Sequence, residues 1–268
     1  MKKQVLKFEE LTWKQLDGLD REKSLFFITI SPIEEHGPHL PLGMDFFNGH
    51  RTAGTVARKF KKLKPEWSVV LCPPIPLGTQ CMELAGTISV RRDVLRDVAV
   101  DFVGSIAKYG FKYFVILTGH MAPVHGTVLE EAAEIVANRY NVKVVAPILQ
   151  MVRKIRYPEP GRPLLKGMPK NAEEVEYTRK DVHAGWRETS LLLLQRPRLV
   201  DKCYKDLPPA LLARPGDLSH NAIMAASGGQ GYVGIPSDAS LVRGRALLEG
   251  LTQLALEAVL EMVEGGKS

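Results

Sequence analysis

The 268-residue sequence has few cysteines and no long apolar run, and these shortages exclude several classes of protein. Its three cysteines, Cys72, Cys81 and Cys203, form no Cys-x-x-Cys pair, which argues against a disulfide scaffold and a cysteine-rich zinc site. No apolar stretch approaches the roughly 18 residues of a membrane span. No apolar segment follows the basic N-terminal residues, so a signal peptide is not predicted either. We therefore expect a cytoplasmic protein without a membrane partner.

The charge balance is basic, with 36 Lys and Arg against 30 Asp and Glu, but it indicates no nucleic-acid partner. The one dense basic run, Arg58–Lys64, falls at the end of a predicted helix, where cations complement the helix dipole. It has no interleaved aromatic residues and no binding motif. We interpret it as a solvated helix end.

Short apolar runs alternate with amphipathic stretches over the first 150 residues. This alternation predicts an α/β fold, a mostly parallel sheet covered on both faces, in a single domain of residues 1–268. The predicted strands are Ser24–Ile30, Val69–Leu71, Tyr113–Leu117 and Val142–Pro147.

The segment 153–180 interrupts this pattern, since proline, glycine and basic residues precede an acidic cluster at Glu173, Glu174 and Glu176. A long irregular insertion in a compact domain is often functional, for example as a lid or an oligomer contact. A plain surface insertion is an equally good interpretation.

The densest group of chemically capable residues is the segment Ser31–Asp45, which begins where the first buried strand ends. Ligands of open α/β sheets bind outside the carboxyl ends of strands. Glu34 and His36 are two residues apart and project to the same side of an extended chain. Carboxylate and imidazole are ligands that suit zinc, manganese or iron(II). Asp45, just before a helical stretch, has two oxygens with which it can bridge two metal ions.

Two further clusters also lie at predicted element ends. His120 follows the strand Tyr113–Leu117 directly, and His183 lies five residues before Glu188 across an Ala-Gly turn at a helix start. A single histidine of this kind is more often structural than a ligand. Three such clusters together favour a common site.

These residues resemble the creatininase (creatinine amidohydrolase) superfamily. The resemblance is carried by Glu34-x-His36-Gly-Pro-His39-Leu-Pro-Leu-x-x-Asp45, then by Gly119-His120, and then by His183-Ala-Gly-x-x-Glu188-Thr-Ser190. A looser match follows at Gly231-x-x-Gly234-x-Pro236, so the resemblance extends in order from about Ser24 to Gly244.

The resemblance implies an α/β/α sandwich with two divalent metal ions (zinc, manganese or iron) that hydrolyses a non-peptide C–N bond, such as a cyclic amide or formamide, in a small-molecule substrate. Glu34 and His120 would bind one metal and His36 the other, with Asp45 bridging them. Glu188 would add a carboxylate at the second metal, and His183 would transfer the proton. Family members are commonly homo-oligomers, often hexamers.

The sequence departs from the family pattern after His120, where Met121-Ala122-Pro123 stands. Creatininase itself has a ligating glutamate two residues after this histidine, and Ala122 cannot be a ligand. We therefore expect creatinine to be rejected, and an anionic substrate group could meet Arg187. The bulky ring of Trp186 could line the pocket. The alternative function is that of a catalytically inactive relative that binds a metal or a small molecule.

Overall fold

The structure is a computed structural model that describes residues 4–156, 172–214 and 216–265. At its centre is a sheet of five parallel strands in the order β1-β3-β2-β4-β5. The strands are β1 (Leu6–Lys7), β2 (Ser24–Thr29), β3 (Ser68–Leu71), β4 (Tyr113–Leu117) and β5 (Lys143–Val145).

Helices cover both faces of this sheet because residues along the central strand β2 alternate between two cores. Leu25 and Phe27 pack into one core with the helices α2 (Met44–Leu63), α7 (Trp186–Gln195) and α9 (Leu241–Glu264). Phe26 and Ile28 pack into the other core with α3 (Arg92–Ala107) and α4 (Pro123–Tyr140). All six residues of β2 are buried. The structure therefore has the predicted α/β architecture, a mostly parallel sheet between two helical layers.

The helices of the described residues differ in length and in the layer to which they belong. They are α1 (Trp13–Asp17), α2 (Met44–Leu63), α3 (Arg92–Ala107), α4 (Pro123–Tyr140), α5 (Ile148–Arg156), α6 (Ala172–Arg179), α7 (Trp186–Gln195), α8 (His220–Ala226) and α9 (Leu241–Glu264). None of these helices is both long and apolar enough to cross a bilayer.

The chain order of the strands creates a switch point between β2 and β4. From β2 the chain passes through α2 to β3 on one side, and then returns through α3 to β4 on the other side of β2. The connections after β2 and β4 therefore diverge at the carboxyl edge of the sheet, which leaves a crevice there. The segments that contain Glu34 and His120 both start at this crevice.

Several predicted boundaries differ from those observed. The short strand β1 was not predicted, and β5 covers only three residues of the predicted strand Val142–Pro147 because α5 begins at Ile148. Both described ends of the segment 153–180, which was expected to be irregular, contain helix: α5 extends to Arg156 and α6 begins at Ala172. Residues 157–171 lie outside the described residues.

The basic run Arg58–Lys64 forms the C-terminal end of α2, with Lys64 as the residue that caps the helix. The Lys61 ammonium group donates hydrogen bonds to the backbone carbonyls of Pro65, at 2.9 Å, and Trp67, at 2.6 Å. Lys64 forms an ion pair with Glu264, the last residue of α9. These lysines therefore contribute to local structure.

Candidate metal centre

A pair of glycines brings the end of β4 against the first turns of α2. A Cβ atom added to Gly119 would lie 2.1 Å from the backbone oxygen of Asp45. One added to Gly49 would lie 2.6 Å from the backbone nitrogen of Gly119. Only glycine permits this approach of the two backbones. As a result, Asp45 in the first turn of α2 lies beside His120.

Asp45 faces a different histidine with each of its two carboxylate oxygens. Its Oδ1 lies 3.4 Å from Nε2 of His36, and its Oδ2 lies 3.0 Å from Nδ1 of His120. The side chain is only 1% exposed, yet neither oxygen has a hydrogen-bond partner. A buried carboxylate is stable only beside positive charge or hydrogen-bond donors.

One oxygen of Glu34 is held by the backbone, and the other faces His120. Its Oε1 accepts a 2.6 Å hydrogen bond from the backbone N–H of Met82, whereas Oε2 lies 3.0 Å from Nδ1 of His120. The backbone carbonyl of Glu34 lies 3.1 Å from Nδ1 of His36. A proton on that nitrogen leaves Nε2 of His36 as the electron-pair donor, which is how metal-binding histidines are usually fixed.

The unpartnered atoms of this cluster fit a metal-binding site. Glu34 Oε2, both Asp45 oxygens, Nε2 of His36 and Nε2 of His120 are all buried without a hydrogen-bond partner. Buried polar atoms are normally paired, so a concentration of exceptions indicates an ion or water. Oxygen and imidazole nitrogen are the donors that zinc, manganese and iron accept.

The described residues form three groups of possible metal ligands. Within each group, the donor atoms lie within 4.8 Å of one another. The groups are Glu34, Cys81 and His120; then Glu34, His36 and His183; and finally His36, Asp45 and Glu188.

The electrostatics of the cluster reflect crowded carboxylates and histidines. Burial opposes protonation of His36, but the charges of Asp45, Glu188 and Glu34 outweigh it and raise its pKa to about 10. The pKa of His120 is also raised, because Glu34 and Asp45 outweigh burial. In turn, His36 and His120 keep the pKa of Asp45 low despite its burial. Without metal, the positive charge that the carboxylates need comes from protons on the histidines.

Glu188 reaches this cluster from the first turn of α7. Its Oε2 lies 3.7 Å from Nε2 of His36 and accepts a 2.6 Å hydrogen bond from the backbone N–H of Ala184. Ala184 has a left-handed φ of 50°, which is uncommon for a residue with a side chain. This turn aims its N–H group at Glu188 and helps to fix the carboxylate.

His183 packs against His36 and is anchored to the loop of the first motif. Its Nε2 lies 2.9 Å from the backbone carbonyl of Glu35, and the two imidazole centroids are 4.4 Å apart. The backbone of His183 pairs with Val233, next to the glycines of the looser fourth motif. His183 therefore lies close to Glu34 and His36. Within the described part of the chain, it makes no direct contact with Asp45.

Two further histidines lie close to the cluster and contribute to the structure around it. His39 contacts Oγ1 of Thr189 at 2.8 Å, and His125 lies 3.1 Å from Oγ1 of Thr118. Burial lowers the pKa of His39 to about 4 and that of His125 to about 3, so both are neutral at pH 7. These residues position the loops that contain the cluster.

A pocket with a cavity volume of about 130 Å³, partly open to solvent, lies over the cluster. Glu34, His120, His183 and Glu188 contribute its polar floor. Its walls are largely apolar and come from several helices; the apolar residues include Val152 and Ile155 of α5, Leu191 of α7, Ile223 of α8, and Leu247 and Leu251 of α9.

Two residues that were expected to meet the substrate have other partners. Trp186 is buried and stacks on Tyr177, with centroids 6.1 Å apart, and it is not among the described residues that line the pocket. Arg187 lines the pocket, but its Nε lies 3.0 Å from Oδ2 of Asp181. That carboxylate neutralises the guanidinium, which leaves Arg187 poorly suited to bind an anionic substrate group.

Three residues near the site had not been singled out from the sequence. Glu35 presents its backbone carbonyl to His183, and Asp181 accepts hydrogen bonds from the backbone N–H groups of Trp186 and Arg187 at the start of α7. The third is Cys81, whose sulfur lies within 4.8 Å of possible ligand atoms of Glu34 and His120. Of these three residues, only Asp181 has a recognisable signal in the sequence, because it is an acidic residue five positions before the start of a helix.

The fold is shared with solved structures of creatininase. One crystal structure of creatinine amidohydrolase superposes with a TM-score of 0.68 over 96% of this chain and 98% of its own, at 21% sequence identity. A manganese form of creatininase gives 0.69 over the same shares, at 20% identity. A mutant of the zinc–zinc type gives 0.67, also at 20% identity.

Sequence comparison adds relatives of known name. The chain is 24% identical over 246 residues to the mycofactocin precursor peptide peptidase of Mycobacterium ulcerans strain Agy99. This alignment covers 89% of this chain and 85% of the relative. A shorter match of 116 residues, covering 42% of this chain and 35% of the relative, is 28% identical to the 3-dehydro-scyllo-inosose hydrolase of Thermotoga maritima. The family model for creatininase, creatinine amidohydrolase, matches residues 9–259. The chain therefore belongs to the creatininase family.

Proposed function

We propose that this protein is a hydrolase that cleaves a C–N bond of a cyclic amide or a formamide with the help of two divalent metal ions. The observation that carries the proposal is the placement of Asp45, a buried carboxylate with one unpartnered oxygen toward His36 and the other toward His120. This arrangement suits a bridging ligand between two ions.

Each proposed metal position has its own set of donors. Glu34 and His120 would bind one ion, His36 and Glu188 the other, and Asp45 would share one oxygen with each. Zinc, manganese and iron(II) all suit these donors. When bound, a pair of divalent ions supplies Lewis acidity that activates water and polarises a carbonyl oxygen.

His183 is the residue proposed to move the proton. Donation of the Nε2 proton to the carbonyl of Glu35 leaves Nδ1 as the nitrogen that can take a proton and return it. The residue also lines the pocket, where a leaving nitrogen would lie. Proton transfer by a positioned side chain typically contributes about 10²–10⁴-fold to the rate.

The pocket favours a substrate with an apolar body. Its walls are largely apolar, and Arg187 is already paired with Asp181. Met121 and Ala122 line the pocket after His120, so no carboxylate is present at that position. We therefore infer that creatinine, which is small and polar, is a poor substrate.

Hydrolysis of a peptide bond beside an apolar residue is a second candidate. The apolar helical wall of the pocket is the observation that favours it, since it could accommodate a side chain. The relative from Mycobacterium ulcerans is named as a peptidase. Cyclic amides, formamides and peptides all require attack of water on a carbonyl beside nitrogen.

The test combines metal content with a substrate panel. Purified protein is loaded with zinc or manganese, analysed for bound metal, and assayed with creatinine, cyclic amides, formamides and short apolar peptides. We expect two ions per chain and turnover of at least one class other than creatinine. Asp45→Ala should lose both ions and all turnover. Full metal content in this variant would contradict the site, whereas two ions without turnover would favour the catalytically inactive alternative.

A further inference from the structure

Cys81 lies on a loop that is fixed on both sides. The side-chain oxygen of Gln80 accepts a 2.7 Å hydrogen bond from the backbone N–H of Val124, at the start of α4. On the other side, the backbone N–H of Met82 donates to Oε1 of Glu34. Gln80 has a left-handed φ of 58°, which turns the chain sharply just before the cysteine. The position of Cys81 is therefore tied to the candidate metal centre.

The sulfur of Cys81 belongs to one of the three donor groups of the described residues. It lies within 4.8 Å of a carboxylate oxygen of Glu34 and of a ring nitrogen of His120. Cys81 is a partly buried free thiol. The other two residues of this group each have a buried atom without a hydrogen-bond partner, Oε2 of Glu34 and Nε2 of His120.

We propose that Cys81 is a thiolate ligand of the metal ion bound by Glu34 and His120. The inference rests on the proposed dinuclear site. Upon binding, the thiol would release its proton to solvent, and one sulfur–metal bond would form. With one oxygen of Asp45, the ion would then have four protein donors, a number typical of zinc.

A thiolate at one position would make the two metal positions unequal. Soft sulfur ligands favour zinc, whereas sites of oxygen and nitrogen also suit manganese. The second position, formed by His36, Asp45 and Glu188, contains no sulfur. The centre should therefore prefer zinc at the Cys81 position and be more permissive at the other.

Cobalt(II) loading tests the sulfur–metal bond directly. Wild-type protein with two bound cobalt ions should show the intense near-ultraviolet absorption of thiolate-to-cobalt charge transfer. Cys81→Ser should lose this band, while Cys203→Ser should keep it. Cys203 is a suitable control because its sulfur lies in none of the donor groups of the described residues; its thiol instead faces the carbonyl of Pro38, at 4.0 Å.

Competition between zinc and manganese gives a second measurement. Mutation of even indirect partners of a metal ligand costs roughly 10–100-fold in affinity, so Cys81→Ser should weaken zinc binding at one position by at least about tenfold. Manganese affinity should change less. Circular dichroism spectra and melting curves of both variants confirm that they are folded.

The remaining measurement needs no substitution. Alkylation of Cys81 by iodoacetamide, followed by peptide mass spectrometry, should be slow in zinc-loaded protein and fast after chelation. Two bound cobalt ions without the charge-transfer band, or alkylation unaffected by zinc, would overturn the assignment of Cys81 alone. Failure of wild-type protein to bind any ion would instead overturn the proposed function.

Discussion

Replacement of Gly119 by alanine should move Asp45 and His120 of the candidate metal centre apart. An added Cβ would lie 2.1 Å from the backbone oxygen of Asp45, which belongs to the first turn of helix α2. Ordinary contacts of a Cβ begin at about 3.4 Å, so the end of β4 and the start of α2 must move apart by roughly 1 Å. Overpacking of this kind typically costs about 1–3 kcal/mol in the free energy of unfolding.

The displacement should affect metal binding more strongly than stability. His120 follows Gly119 directly, and its Nδ1 lies 3.0 Å from the nearest oxygen of Asp45. A metal bound by both residues depends on this separation. We therefore expect the zinc affinity of Gly119→Ala to fall by at least about tenfold, as for the loss of supporting residues at other metal sites.

Gly54→Ala is a matched control on the same helix α2. Its added Cβ would meet only the end of the flexible Arg58 side chain, at 3.3 Å, and Leu71, at 3.6 Å. Alanine in a helix interior is more favourable than glycine by up to about 1 kcal/mol, so this variant should be at least as stable as wild type. Urea denaturation of metal-free protein gives the free energies of unfolding, and calorimetric titration gives the zinc affinities. Equal zinc affinity in Gly119→Ala and wild type would refute the argument.

Three further predictions concern the histidines of the cluster. His120→Ala should weaken mainly one of the two ions, which elemental analysis after dialysis at graded metal concentrations would detect; loss of neither ion would exclude it as a ligand. His183→Ala should keep both ions and lose most of the turnover on any accepted substrate, and loss of metal together with activity would make it a ligand instead. Because the pKa of His36 is raised to about 10 in metal-free protein, zinc must displace a proton there, so affinity should rise with pH from 6 to 9. Calorimetry in buffers of different ionisation enthalpy measures this proton release, and a pH-independent affinity would contradict it.

The sequence was informative about the edge of the sheet where the site residues meet. Glu34 and His120 each follow a buried parallel strand, and the carboxyl ends of parallel strands share one edge. Local sequence therefore sufficed to predict their proximity. Asp45 could be added because it begins the helix that follows the same loop.

Contacts that depend on the approach of distant segments could not be predicted in this way. The contact of His183 with the carbonyl of Glu35 joins residues 148 positions apart, and the approach of Cys81 to Glu34 depends on a sharp turn at Gln80. The helix α6 was missed because its short, glutamate-rich sequence has no clear apolar face. The seven-residue helix α8 was not predicted either, since it is short and Gly228 and Gly229 follow it closely.

The origin of the pocket walls bears on how this protein could diverge from its relatives. The polar floor comes largely from Glu34 and His120, which follow β2 and β4, whereas α5, α8 and α9 contribute apolar residues and no proposed metal ligand. Ile223 or Leu247 could therefore change in size while the donors around Asp45 keep their distances. In a family with this architecture, substitutions in the helices that line the pocket can change the substrate while the residues of the metal centre stay the same.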